Sequence, residues 1–219
     1  MENTFPTVSP LIDSGLASQL KDLLNTLNAD LALTCILDSG DKSLEMAAFL
    51  NHLASLSSRV SCVFLSPEEA GPLAQVLDDS LLPATGIGTP GETPRMVFHG
   101  IPGGKEISSF ATALLNAGQA VKPLDKYTMK DIGKIRKEMK LQVCVSLACH
   151  HCAQLVAAAQ RVAWENPLVT AHMIDANLYP ELVSRYQIER VPLLVVNESQ
   201  LFPGGKTLAE LTGMLYKIK

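Results

Sequence analysis

The chain carries hydrophobic residues at helical and at strand-like spacing by turns. Leu16, Leu20, Leu23, Leu24 and Leu27 share one helical face, which predicts an amphipathic helix over 11–27 with Ser14 as its N-cap. Residues 31–37 are almost continuously apolar and read as a strand buried on both faces. Helical spacing returns over 43–56, and 60–65 is again strand-like. Residues 66–93 turn rich in Pro, Gly, Asp and Thr, which predicts an insertion or mobile loop holding at most a short helix within 73–82. A strand over 95–99, a Pro-Gly-Gly-Lys turn and a helix over 106–116 follow.

Beyond Gly118 the order restarts. A helix is expected over 126–139, a strand over 141–147 and a helix from just after Cys149. A strand over 169–174, a short helix over 177–186, a strand over 192–196 with a hairpin partner at 200–203, and a last helix over 207–216 complete it. Pro102-Gly103-Gly104-Lys105 recurs as Pro203-Gly204-Gly205-Lys206, an offset of 101 residues. Thr93-Pro94 is matched with Val191-Pro192 at an offset of 98. Aligning Leu37 with Leu147 sets Ser39 and Lys42 opposite Cys149 and Cys152, at an offset of 110. This is duplication of a unit of about 100 residues, longer than the roughly 20–50 residues of a solenoid repeat.

At 219 residues, 47% of them hydrophobic, the chain can bury a sizeable core. Its net charge of -4 supplies no basic field for a nucleic acid or an anionic membrane surface. The longest apolar runs, such as 191–196, fall far short of the ~20 residues that span a bilayer. The first residues lack the basic start and apolar core of a secretory signal, so a cytoplasmic chain with reduced thiols is expected.

Five cysteines are an odd number, too few for a disulfide-stapled scaffold. Cys35, Cys62 and Cys144 lie in apolar strand-like runs and read as small core residues. Cys149 and Cys152 stand apart, spaced C-x-x-C where a strand ends and a helix begins. There the unpaired backbone N–H groups of the helix start favour a thiolate, lowering the first thiol toward roughly 3.5–7.5. The second cysteine, one turn on, is within reach to attack a mixed disulfide and release the partner reduced. His150 and His151, between them, are placed to stabilise the thiolate. A zinc site built on Cys149, Cys152 and a histidine lacks a fourth ligand, since no second C-x-x-C or H-x-x-x-H appears. His52, His99 and His172 are scattered and form no constellation. Trp164 reads as packing. Neither Gly86-x-Gly88 nor Gly103-Gly104 matches a phosphate-binding loop, so no nucleotide or flavin site is expected in this chain.

Two similar halves with Cys149-His150-His151-Cys152 only in the second resemble the N-terminal region of the alkyl hydroperoxide reductase F (AhpF) family, over about residues 11–219. Leu37-Asp38, Gly104-Lys105-Glu106, the dithiol segment and Val191-Pro192 carry the resemblance. It implies an α/β architecture of two tandem thioredoxin-like folds packed into one unit. Residues 11–118 would form the copy without the dithiol and 119–219 the copy with it. The implied activity is thiol-disulfide oxidoreduction, in which Cys149 attacks, Cys152 resolves, and the pair cycles through a redox-active disulfide. The resemblance also places Glu106 near the dithiol as a handler of its protons, and Val191, ahead of a cis Pro192, against an extended partner chain beside His150 and His151. The implied partners are a peroxiredoxin and a thioredoxin-reductase-like flavin domain, with FAD and NADH bound outside this chain. The family tends to carry C-H-N-C, so His151 stands where an Asn is usual. Protein disulfide oxidoreductases with tandem thioredoxin folds are similar, but typically carry a C-x-x-C in each half, where this chain has Ser39 and Lys42. A stand-alone disulfide oxidoreductase and a non-catalytic interaction module are the alternative readings, and redox titration separates them from a relay.

Overall fold

The computed structural model describes residues 5–218. Its first half runs α1 (Ser14–Leu24), β1 (Leu31–Ile36), α2 (Asp41–Ser55), β2 (Val60–Leu65), α3 (Leu73–Leu77), β3 (Ala84–Gly88), β4 (Met96–His99) and α4 (Ile107–Ala117). The second runs α5 (Lys126–Ile132), β5 (Met139–Val145), α6 (Cys152–Glu165), β6 (Val169–Asp175), α7 (Pro180–Tyr186), β7 (Leu193–Val196), β8 (Gln200–Pro203) and α8 (Leu208–Leu215). A single 3-10 turn, Gly104–Glu106, leads into α4.

All eight strands form one sheet in the order β2-β1-β3-β4-β6-β5-β7-β8. The order within each half is the same. β1 pairs parallel with β2 and antiparallel with β3, as β5 does with β6 and β7. The halves meet where β4 pairs parallel with β6, from Met96↔Ala171 to His99↔Ile174. Each half thereby covers an edge strand of the other that would otherwise expose unpaired backbone groups.

Strand alternation sorts the core into two layers. Leu194 and Val196 of β7 face the large cluster that gathers Leu24, Phe49, Phe110, Leu155 and Leu211 from α1, α2, α4, α6 and α8. Leu193 and Val195 face the opposite layer, with Leu182 and Tyr186 of α7. Leu77 of α3 packs on that side with Ile36, Ala84 and Val97. Cys35 and Cys144 are fully buried and Cys62 half-buried, and burial pushes each of these thiols up to about 12. All three are inert core residues, as their apolar runs suggest.

Several expectations are corrected. Residues 66–93 are not an insertion: they contain α3 and the wholly buried β3, counterparts of α7 and β7. Ala-Thr-Gly-Ile-Gly lacks the bulk that marks a strand because the strand is closely covered. A Cβ on Gly86 would lie 2.5 Å from the Pro94 side chain and 2.6 Å from that of Leu77. The match of Thr93-Pro94 with Val191-Pro192 also fails. The first-half proline that heads the strand beside β1 is Pro83, and both Leu82–Pro83 and Val191–Pro192 are cis. α5 ends at Ile132, ahead of Gly133, and Met139 already belongs to β5. Asn166 donates to the Ile132 and Ile135 carbonyls in the turn between them. The N-cap of α1 is Asp13, which accepts from the Leu16 amide at 2.8 Å, rather than Ser14.

His99 and His172 are not scattered. On neighbouring strands of the central seam they lie fully buried, with His99 Nε2 2.9 Å from His172 Nδ1 and His99 Nδ1 2.7 Å from the Leu81 carbonyl. Burial drives His99 down to about 4 and His172 well below the usual imidazole range, so both are neutral near pH 7. The signal that sequence reading lacked was strand register. Beside them Lys140 pairs with Asp78 at 2.7 Å, again between halves. Burial opposes ionisation of Asp78, but its bonds from Lys140 and Ser80 prevail and hold it at about 2. Tyr179 Oη donates to the Leu81 and Leu82 carbonyls, and Arg161 donates to Asn116 Oδ1 at 3.0 Å.

Candidate active site

β5 delivers the chain to the turn Ser146–His151, and α6 leaves from it. The Cys149 amide donates to the Ser146 carbonyl at 2.9 Å, closing the turn. Cys149 and Cys152 are joined as a disulfide, with Cα atoms 5.6 Å apart. Cys152 is the first residue of α6 and fully buried among apolar residues; Cys149 is half-buried. An incoming sulfur can therefore reach Cys149 and not Cys152. His150 and His151 are both exposed. His151 occupies the N-cap position but its side chain makes no capping hydrogen bond, so the backbone donors at the start of α6 are not covered by it.

The second wall is Val191–Pro192. Val191 is half-buried and Pro192 buried, at the head of β7 next to β5. The Pro192 carbonyl accepts from the Gly204 amide at 2.9 Å. Gly205 faces the His151 carbonyl, so the second Pro-Gly-Gly-Lys segment joins the two walls of the site.

The third element comes from the other half. The Gly104–Glu106 turn packs against α6, and the Lys105 amide donates to the Leu147 carbonyl at 2.8 Å, two residues before Cys149. Glu106 is wholly buried. Its Oε2 accepts from Ser109 Oγ at 2.5 Å and its Oε1 has no partner. Burial raises its carboxyl to about 7, the Ser109 bond working against that rise and the nearby Asp175 adding to it. A carboxyl in that range exchanges its proton near neutral pH.

Thus the fold brings Cys149, Cys152, His150, His151, Val191 and Pro192 to one corner and sets the turn bearing Glu106 against it. Among the described residues no group of three or more His, Cys, Asp and Glu side chains could hold a metal ion. No helix among them is long and apolar enough to cross a membrane.

A thioredoxin domain family matches residues 139–215. The structure of the alkylhydroperoxide reductase AhpF from Enterococcus faecalis (V583), in a mutant form, superposes with a TM-score of 0.86 at 32% identity. That match covers 93% of this chain and 98% of the other. The chain belongs to the AhpF family. The AhpF of Pseudomonas putida is 28% identical over 205 residues, which are 94% of this chain and 37% of that protein. A protein of Bacillus subtilis (strain 168) named NADH dehydrogenase is 27% identical over 201 residues, 92% of this chain and 37% of its own length. The chain spans little more than a third of the length of these curated relatives. With its Cys149–Cys152 disulfide, it is a thiol-disulfide oxidoreductase of the AhpF family.

Proposed function

We propose that the chain relays electrons from a flavin-dependent reductase domain to the disulfide of a peroxiredoxin. The observation that carries this reading is the asymmetry of the sulfurs, one half-buried and one sealed in the core, at a strand-to-helix corner walled by Val191–Pro192. Reduced Cys149 attacks one sulfur of the partner's disulfide. A new S–S bond forms, the partner's old one breaks, and its departing thiolate takes up a proton. Cys152 then attacks the Cys149 sulfur, expelling the partner's second thiolate and closing Cys149–Cys152. Two electrons have passed to the partner. The flavin domain restores the dithiol by the reverse exchange, with FAD and NADH bound there.

Glu106, at about 7, is suited to carry the proton that Cys152 loses as it attacks. Val191 and Pro192 would bind the partner's extended backbone, flanked by His150 and His151. We read 11–118 and 119–219 as the two thioredoxin-like units, the first serving as a wall of the redox site.

The test is trapping. Cys152→Ser, mixed with an oxidised peroxiredoxin, should accumulate a mixed disulfide through Cys149, whereas Cys149→Ser should trap nothing. Trapping by Cys149→Ser instead, or preferential alkylation of Cys152 in the reduced protein, would refute the assignment.

A further inference from the structure

The Pro-Gly-Gly-Lys repeat finds its use at one site only. The second copy serves its own half: the Gly204 amide holds the Pro192 carbonyl and Gly205 faces His151. The first copy does not do the corresponding work for the first half, where the Pro83 carbonyl accepts from Gly100, outside the repeat, at 3.1 Å. It reaches instead into the second half. The Lys105 amide donates to the Leu147 carbonyl, and Gly103 lies against the Leu147 side chain. Gly104, with φ +54°, comes so close that a Cβ there would overlap the Leu147 carbonyl oxygen and stand 3.2 Å from its carbon. Two independent demands, a left-handed backbone and contact with another segment's carbonyl, leave room for glycine alone.

We infer that Gly104 and the Lys105 amide are positioning elements of the redox site, by which the disulfide-free half fixes the peptide leading into Cys149. The inference rests on the dithiol being the working centre. Leu147 sits inside the turn closed by Cys149 N–H and the Ser146 carbonyl, so holding its carbonyl sets the path of the chain into Cys149. The distance of the Cys149 sulfur from the start of α6 governs how strongly the thiolate is favoured, and hence the balance between dithiol and disulfide. A shift of this peptide must move that balance.

Gly71 supplies the control. Its φ is +51°, nearly that of Gly104, but nothing lies within 4 Å of its Cβ position. Gly104→Ala and Gly71→Ala therefore share the backbone strain and differ in the encounter with Leu147. Each full chain is equilibrated in glutathione redox buffers, and the Cys149–Cys152 equilibrium constant is read together with the pH profile of Cys149 alkylation. Gly104→Ala should shift the constant at least fivefold and displace the alkylation profile, while Gly71→Ala stays within twofold of wild type. Equal constants in all three proteins would overturn the inference. Should Gly104→Ala not fold, hydrogen exchange decides. The Lys105 amide of the wild-type chain should be protected in both redox states, and exchange at the rate of an exposed loop would overturn it. Both readouts use this chain alone, so loss of the relay would appear in the trapping experiment and not here.

Discussion

The chain turns from strand to helix twice in equivalent places, once on hydrogen bonds and once on a covalent bond. Between β1 and α2, the Asp38 carboxylate accepts from Ser43 Oγ at 2.6 Å and from the Gly40 amide at 2.9 Å, while the Asp38 amide donates back to Ser43. Ser43, and then Gly40, hold the Asp38 carboxyl below the usual range. Between β5 and α6 the same corner is closed by Cys149–Cys152. Both corners feed helices of similar length, 15 and 14 residues, packed on the same face of one sheet. A disulfide is therefore not what this corner needs in order to form. Its presence in the second half answers to chemistry, and the first corner shows what remains when chemistry is removed.

Four measurements can break or sharpen that contrast. The largest effect belongs to the sulfurs. Changing both Cys149 and Cys152 to Ser should reduce electron relay to background, a loss of more than about 1,000-fold, while circular dichroism stays native. Loss of the fold would mean that the second corner, unlike the first, depends on its bond. Next, Glu106→Gln should slow relay by about 10–100-fold and remove the inflection near pH 7 from the pH–rate profile. Stability gives the sign independently. The carboxyl is raised in the folded chain, so its favourable contribution is present at low pH and is lost as pH rises from about 4.5 to about 7. The Gln variant should gain on wild type across that window in urea titrations, and a constant difference would show that Glu106 is not held protonated.

The third measurement concerns the seam that both corners share. His99 and His172 are depressed, so the stability they contribute is present above about pH 6.5 and is lost as pH falls toward about 4. His172→Gln should flatten that acid limb of the melting temperature, and an unaltered limb would assign it to other groups. Smallest is Ser43→Ala, which should cost about 1 kcal/mol and leave relay unchanged. A change in relay would make the first corner part of the catalytic apparatus.

The dithiol corner was legible in the sequence because its parts are contiguous: an apolar strand, C-x-x-C and an amphipathic helix. Val191–Pro192 was legible for a similar reason, as a proline heading an apolar run. Features set by register or close approach were not. Ala84–Gly88 hides as a loop because its neighbours leave no room for the side chains that announce a strand. The bond between Lys105 and Leu147 leaves no trace in residue type, since it joins one backbone to another. Glu106 could be named from resemblance, but its burial beside Ser109 and near Asp175 follows only from how β4 and β6 bring the halves together.

The parallel seam carries a registration mark. Val97 sits opposite His172 and His99 opposite Ile174, which puts both imidazoles on the face covered by α3 and α7. Slipping one strand by a single residue would turn its histidine into the opposite layer, among Phe98, Met173 and the large cluster, and leave the remaining ring without its partner. A seam of aliphatic residues alone would tolerate several alignments. The imidazole pair makes one alignment readable to the folding chain, as a key reads a lock, and so sets how far the Gly104–Glu106 turn reaches toward the sulfurs.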